Sequence, residues 1–136
     1  MSSTRNNRDD TGARGERLAA EYLREDGWTI RDRNVEEEIG ELDIVAQRTG
    51  HLGEMPIEIV AFVEVKSRAT SIDIPTELNV TRRKRRKLVK LGKLYLSRHD
   101  LHEVSARFDI VTVDLEASPS DVSHYPAAFD ALGRFN

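Results

Sequence analysis

The chain has 136 residues, 38% hydrophobic and 33% charged, with no cysteine, which is the size of one domain around one core and excludes disulfides, thiolate zinc sites and a cysteine nucleophile. The net charge of −3 hides an asymmetry, because the block Arg82–Lys93 carries 8 of the 21 basic residues and no acid. An otherwise acidic chain with one concentrated basic block fits either a polyanion partner at one face or a solvated helix face.

Residues 1–10 are polar, lack the apolar segment of a secretory signal and read as a disordered lead into a single domain over residues 11–136. No apolar run approaches the length of a membrane span, so a cytoplasmic protein without a membrane partner is expected. Thr11 can cap a first helix that runs through Leu23 and stops at Gly27. Its apolar stripe is Ala19, Tyr22 and Leu23, with Leu18 at the margin, and Glu16 stands over the stripe's edge. Trp28–Arg31 alternates as a first strand, and Glu36–Gly40 reads as a turn. Glu41–Gln47 is a second strand with Leu42, Ile44 and Ala46 on one face and Glu41, Asp43 and Val45 on the other. Gly50–Pro56 is marked as a loop by its glycines and proline. Ile57–Lys66 is a longer, more apolar third strand, expected to be central, with Phe62, Glu64 and Lys66 sharing a face.

Pro75 interrupts the chain before a long helix over Thr81–Arg98. Lys84, Leu88, Leu91 and Tyr95 fall on one face, with Arg83, Arg86, Lys87, Lys90 and Lys93 mainly around the other side. A last clear strand is Ala106–Leu115, and the tail to Asn136 is expected to pack late against the core. Three strands in sequence can form a meander, and a strand after a long helix suggests a crossover to a parallel neighbour. The expected fold is α/β, a central mixed β-sheet flanked by helices in the order α-β-β-β-α-β.

The chemistry concentrates in Gly40-Glu41-Leu42-Asp43-Ile44-Val45 and Phe62-Val63-Glu64-Val65-Lys66. Each sets acidic groups inside an apolar run, and an isolated carboxylate is costly to bury. If the two strands are neighbours, Asp43 and Glu64 can reach one Mg²⁺ (or Mn²⁺), a cation that prefers oxygen ligands, with the Val65 carbonyl as a further ligand. Lys66 could orient an attacking water or offset charge on a phosphate, and Glu16 could support the site through water. Glu-x-Lys is also frequent by chance on a solvated strand, so either fragment alone carries little weight.

The ordered set Gly15-Glu16, Ala19-Ala20, Tyr22-Leu23, Gly27-Trp28, Arg33-Asn34, Gly40 to Val45, Phe62 to Arg68, Val80-Thr81, Lys84, Tyr95-Leu96 and Arg107 to Val111 resembles the bacterial YraN-type family. That family is similar to the restriction-endonuclease-like, PD-(D/E)xK superfamily, with archaeal Holliday-junction resolvases as relatives. The resemblance implies that fold, with Asp43, Glu64 and Lys66 as the superfamily's Asp, Glu and Lys, and Glu16 as the resolvase-like helix Glu. By analogy with the resolvases it also allows a homodimer. Two departures stand out: Glu36-Glu37-Glu38 where the family commonly has basic residues, and a longer loop over residues 49–56.

Three readings follow. The first is a metal-dependent endonuclease acting on DNA, branched or damaged DNA included, in which Arg68, Arg82, Arg83, Lys84, Arg86, Lys87 and Lys90 contact phosphates. The second is a nucleic-acid-binding accessory protein that keeps the fold without cutting. The third is a protein-interaction module whose basic helix docks an acidic partner. Lys84 either takes part in catalysis or phosphate contact or only snorkels from the apolar face. Asp109 reads as a structural hydrogen-bond acceptor, Trp28 as core, and His51, His99, His102 and His124 as scattered surface residues.

Overall fold

The computed structural model describes residues 6–68 and 80–134. Helix α1 spans Asn6–Glu25, strands β1, β2 and β3 span Thr29–Glu37, Gly40–Leu52 and Met55–Arg68, helix α2 spans Arg82–Arg98, and strands β4 and β5 span Val104–Asp114 and Asp121–Phe129. They form a single 5-stranded sheet in the order β1-β2-β3-β4-β5. The β1–β2, β2–β3 and β4–β5 pairs are antiparallel and β3–β4 is parallel. The meander, the α2 crossover and the central place of β3 are therefore as expected. A fifth strand is added, built from the tail. Pro75 lies outside the described residues.

α1 starts at Asn6 rather than at a Thr11 cap. No proline or glycine stands between Asn6 and Thr11 to break a helix. The expected loop over Gly50–Pro56 is instead the end of a long hairpin: Leu52 pairs with Met55, and Gly53, at φ 63°, supplies the left-handed turn residue.

Each face of the sheet carries its own core. On one side α2 lays Leu88, Leu91 and Tyr95 over Leu42, Val45, Val60, Phe62, Phe108 and Ile110. On the other, α1 lays Ala19, Ala20 and Leu23 over Ile44, Ala46, Ala61, Val63 and Val111. Small residues let both helices sit close. A Cβ on Gly15 would lie 1.7 Å from Ser67 Oγ, and one on Gly92 would lie 3.0 Å from the Phe62 ring. α1 is thus pressed against the end of β3, which fixes where the neighbouring Glu16 points.

β5 is held by a buried ion cluster. Asp109, fully buried, accepts from Arg107 Nε and NH2 at 3.0 Å each and from the Ala127 N–H at 3.0 Å. His124 Nε2 lies 2.7 Å from Asp109 Oδ2. The His124 side chain is 8% exposed, so it belongs to the interior and not to the surface. The reason is β5 itself, which carries His124 under Tyr22 in an edge-to-face contact. Trp28 is buried as expected, with the guanidinium groups of Arg48 and Arg107 over its ring at 4.5 and 4.9 Å.

Burial acts to raise the Asp109 pKa, but the bonds from His124, Arg107 and Ala127 outweigh it and hold the carboxyl below its ordinary 3.8. A depressed carboxyl stabilises the fold above its unfolded pKa, and that contribution is lost as the pH falls through the folded value. Asp109→Ala, which strands Arg107, should lose about 3 kcal/mol or more in urea unfolding at neutral pH. The smaller deficit of Asp109→Asn should shrink below about pH 4. An Asp109→Ala protein as stable as the parent would show that the cluster does not hold β5.

Candidate metal and nucleic-acid site

The β2–β3 ladder ends at Ile44↔Val63. Beyond it β2 continues against β1 to Gly40, and β3 continues against β4 to Arg68. The two central strands therefore fork. At the fork Asp43 Oδ2 accepts the Val65 N–H at 2.9 Å, so a side chain takes the place of a strand partner. The strict alternation expected for Glu41–Gln47 breaks here. Leu42 and Val45 both pack under α2, whereas Ile44 and Ala46 face α1. This irregularity frees Asp43 from either core face and turns it into the opening.

Four acids meet in the fork. Carboxylate oxygens of Glu16, Glu41 and Asp43 lie within 4.8 Å of one another. Glu64, 4% exposed, shares a hydrogen bond with Asp43. Asn34 completes the group. In the left-handed region at φ 52°, which Asn tolerates better than most residues, its amide faces two carboxylate acceptors, so the nitrogen is assigned to that side, 2.6 Å from Glu16 Oε1 and 2.9 Å from Glu41 Oε1. From the far side Lys84 Nζ reaches Glu64 Oε2 at 2.9 Å. Lys84 is thereby the partner of a Glu64 oxygen that is otherwise buried without a hydrogen bond.

The charges are mutually destabilised. Burial, then the shared hydrogen bond and charge of Glu64, push Asp43 up to about 9, against the pull of the Val65 N–H. Burial and the Glu41 charge raise Glu16, with Arg33 opposing. Burial, Glu36 and Glu64 raise Glu41, with Lys84 opposing. Burial would lower Lys84, but Glu64 and then Asp43 and Glu41 outweigh it and hold the ammonium charged.

An open cavity of about 460 Å³ connects this cluster to α2, lined by Glu41, Asp43 and Glu64 on one side and Arg83, Lys84 and Lys87 on the other. Of the residues singled out in the sequence, Asp43 and Glu64 meet, and Glu16 joins them. Val65 contributes its N–H to Asp43. Lys66 follows Glu64 by two on β3 but lies outside the cavity lining, and Lys84 is the ammonium in contact. Arg68, at the end of β3, and Arg82, Arg86 and Lys90, on α2, also lie outside that lining. Glu41, which shares a strand face with Asp43 and could have either supported the site or been simply exposed, joins the acids; Asn34 was not anticipated as a site-builder, although Arg33-Asn34 sits within the family-like motifs. Part of the acidic departure is tied down structurally, since Glu37 pairs with Arg98 at 2.8 Å.

The model of the uncharacterised protein family UPF0102 matches residues 15–113. The chain belongs to that family. It is 38% identical to a UPF0102 protein of Myxococcus xanthus over 124 residues, covering 91% of this chain and 92% of that one. A UPF0102 protein of Trichlorobacter lovleyi is 40% identical over 121 residues, covering 88% and 89% of the two chains, and one of Pelobacter propionicus is 37% identical over 130 residues, covering 95% and 89%. The resemblance to the YraN-type family is thus borne out. The matched span contains the whole fork: Glu16, Asn34, Glu41, Asp43, Glu64 and Lys84. Among the described residues no helix is long and apolar enough to cross a membrane.

A testable consequence concerns the protein without divalent metal. The folded pKa of Asp43, about 9, lies above its ordinary 3.8. Folding therefore takes up a proton in the intervening range, and stability drains away as the pH rises through the folded value. Asp43→Asn, neutral at every pH, should melt several degrees above the parent at pH 8 in chelator. The gain should fade towards pH 4. A variant that melts lower than the parent at pH 8 would contradict this electrostatic account.

Proposed function

We propose that the fork is the active site of a metal-dependent nuclease that hydrolyses phosphodiester bonds in DNA, branched or damaged DNA among its substrates. The observation that supports this most is the convergence of Asp43, Glu64, Glu16 and Glu41 in one partly buried opening, where the buried Glu64 Oε2 is met by the Lys84 ammonium. A divalent cation fits these residues. The donors are all hard carboxylate oxygens, suited to Mg²⁺ or Mn²⁺, and neither histidine nor cysteine stands among them to favour zinc. Asp43 and Glu64 would hold the ion, with Glu16 and Glu41 beside them and the Val65 carbonyl as a further donor. When bound, the cation supplies Lewis acidity towards water and the scissile phosphate.

The chain's own residues supply the rest. Asn34 holds Glu16 and Glu41 at fixed distance, so the acids are positioned before substrate arrives. Lys84 offers an ammonium at the cavity wall where charge would build on the phosphate. Lys66 stands two residues from Glu64 and is assigned to orienting the attacking water. Arg83 and Lys87 on the same wall seat the flanking phosphates.

A second reading, a DNA-binding protein of the same fold that does not cut, has one observation in its favour: Lys84 already neutralises Glu64. Incubation with junction, flap, single-stranded and plain duplex DNA, with Mg²⁺ or Mn²⁺, separates the two. The nuclease reading expects cleavage, lost by about 10²-fold or more in Asp43→Ala and Glu64→Ala with DNA binding retained. Comparing Lys84→Ala with Lys66→Ala identifies the ammonium that assists. Tight, salt-sensitive binding without cleavage under either metal would select the second reading.

A further inference from the structure

The cations of α2 do not all face the acids. A second cavity, of about 520 Å³, lies beside the same helix, lined by Arg82, Arg86, Lys90 and Lys93 on one wall and by Leu132 and Arg134 on the other. At about 100° per residue, Arg82, Arg86, Lys90 and Lys93 share one arc of roughly 80°, and Arg83, Lys87 and Lys84 occupy the adjoining arc towards the acids, the two sets meeting along the solvent-facing side at Lys90 and Arg83. Among the described residues Arg82, Arg86, Lys90 and Lys93 have no acidic partner, and only Arg134 is paired, with Asp130 at 2.9 Å. Packing so many cations along one groove is unfavourable unless an anion joins them.

The far wall is firmly built. Arg85, 8% exposed, donates from Nε to the Gly133 carbonyl at 2.6 Å and from NH1 to the Val80 carbonyl. Gly133 has φ 76°, and a Cβ there would come within 3.3 Å of Arg86 Cγ. Asp130 Oδ1 accepts from the N–H groups of Leu132 and Arg134 at 2.9 Å each. The turn is therefore held against α2 in a form that leaves Leu132 61% exposed at the rim of a basic groove. A large apolar side chain fixed among cations suits a ligand that is anionic along its backbone and carries flat apolar groups.

We propose that this groove binds a single-stranded nucleic-acid segment, with phosphates on Arg82, Arg86, Lys90 and Lys93 and a base against Leu132. The basic ridge of α2 then joins it to the strand at the acid cavity, so the preferred substrate carries a single-stranded tail beside the reacting phosphate. Duplex turns its bases inward and leaves Leu132 unused. The inference rests on the nuclease reading only for the class of ligand and does not need cleavage to occur.

The test is fluorescence anisotropy with labelled oligothymidylate, a duplex hairpin and a polyglutamate peptide, all in chelator so that no DNA is cut. Arg86→Glu/Lys93→Glu should weaken oligothymidylate binding about tenfold and reduce the log–log salt slope by about 1.4, for two lost single-strand phosphate contacts. Leu132→Ala should weaken it several-fold with the slope unchanged and leave the hairpin unaffected. The neutral pair Arg82→Gln/Lys93→Gln should move binding the same way by less, should charge reversal unsettle α2. Unchanged oligothymidylate binding in both cation pairs, an inert Leu132→Ala, or polyglutamate bound as tightly as the oligonucleotide would each overturn the proposal. Failure of cleavage with this binding pattern intact would remove the nuclease reading and leave the groove. Cleavage with the groove variants inert would do the reverse.

Discussion

The hydrogen bond from the Val65 N–H to Asp43 organises everything at the functional end of this molecule. In an unbroken antiparallel ladder that N–H would pair with β2 backbone. Because a carboxylate takes it, β2 and β3 part, and an opening appears between two neighbouring strands in the interior of the sheet. α1 reaches the opening from one face through Glu16 and α2 from the other through Lys84, so the acids have access from both layers. The arrangement is poor for stability. Burial and mutual repulsion raise Asp43, Glu16 and Glu41, and the buried Glu64 oxygen is matched by a half-exposed lysine, Lys84. Local violations of otherwise consistent folding rules of this kind concentrate at functional sites.

α2 serves three ends with one amphipathic pattern. Its inner face, Leu88, Leu91 and Tyr95, closes the core on that side of the sheet. Gly92 brings it down onto Phe62 and Phe108. Its outer face is divided, one flank towards the acids and the other towards the C-terminal turn held by Arg85. A basic block that looks uniform in sequence is thus two surfaces, since residues one or two apart in a helix lie on different faces. Arg85, in the middle of the block, is a structural strap rather than a contact for solvent or ligand.

Much of the fold was legible because its signals are local. The apolar run ending in Glu64 marked the central strand, the spacing of Leu88, Leu91 and Tyr95 marked the inner face of α2, and helix followed by strand marked the parallel crossover. The pairing of Asp43 with Glu64 was legible from acids placed in apolar strands. What escaped depends on contacts distant in sequence. β5 carries Pro126 and no strong alternation, and it is a strand because Asp109 accepts the Ala127 N–H and contacts His124. The break in alternation after Leu42 has no residue signature, since it follows from the fork. Asn34 gave only the weak hint of a residue that tolerates positive φ. Lys84 was seen on the inner face, but the ion it meets was not, because that requires knowing how α2 crosses the end of β3.

The central claim is that the fork is a divalent-cation site, and crystals grown with Mn²⁺ and measured for anomalous scattering test it most directly. The account predicts a single strong anomalous peak between Asp43 and Glu64, absent in Asp43→Asn crystals. No peak there under saturating Mn²⁺, with Lys84 still seated on Glu64, would contradict it.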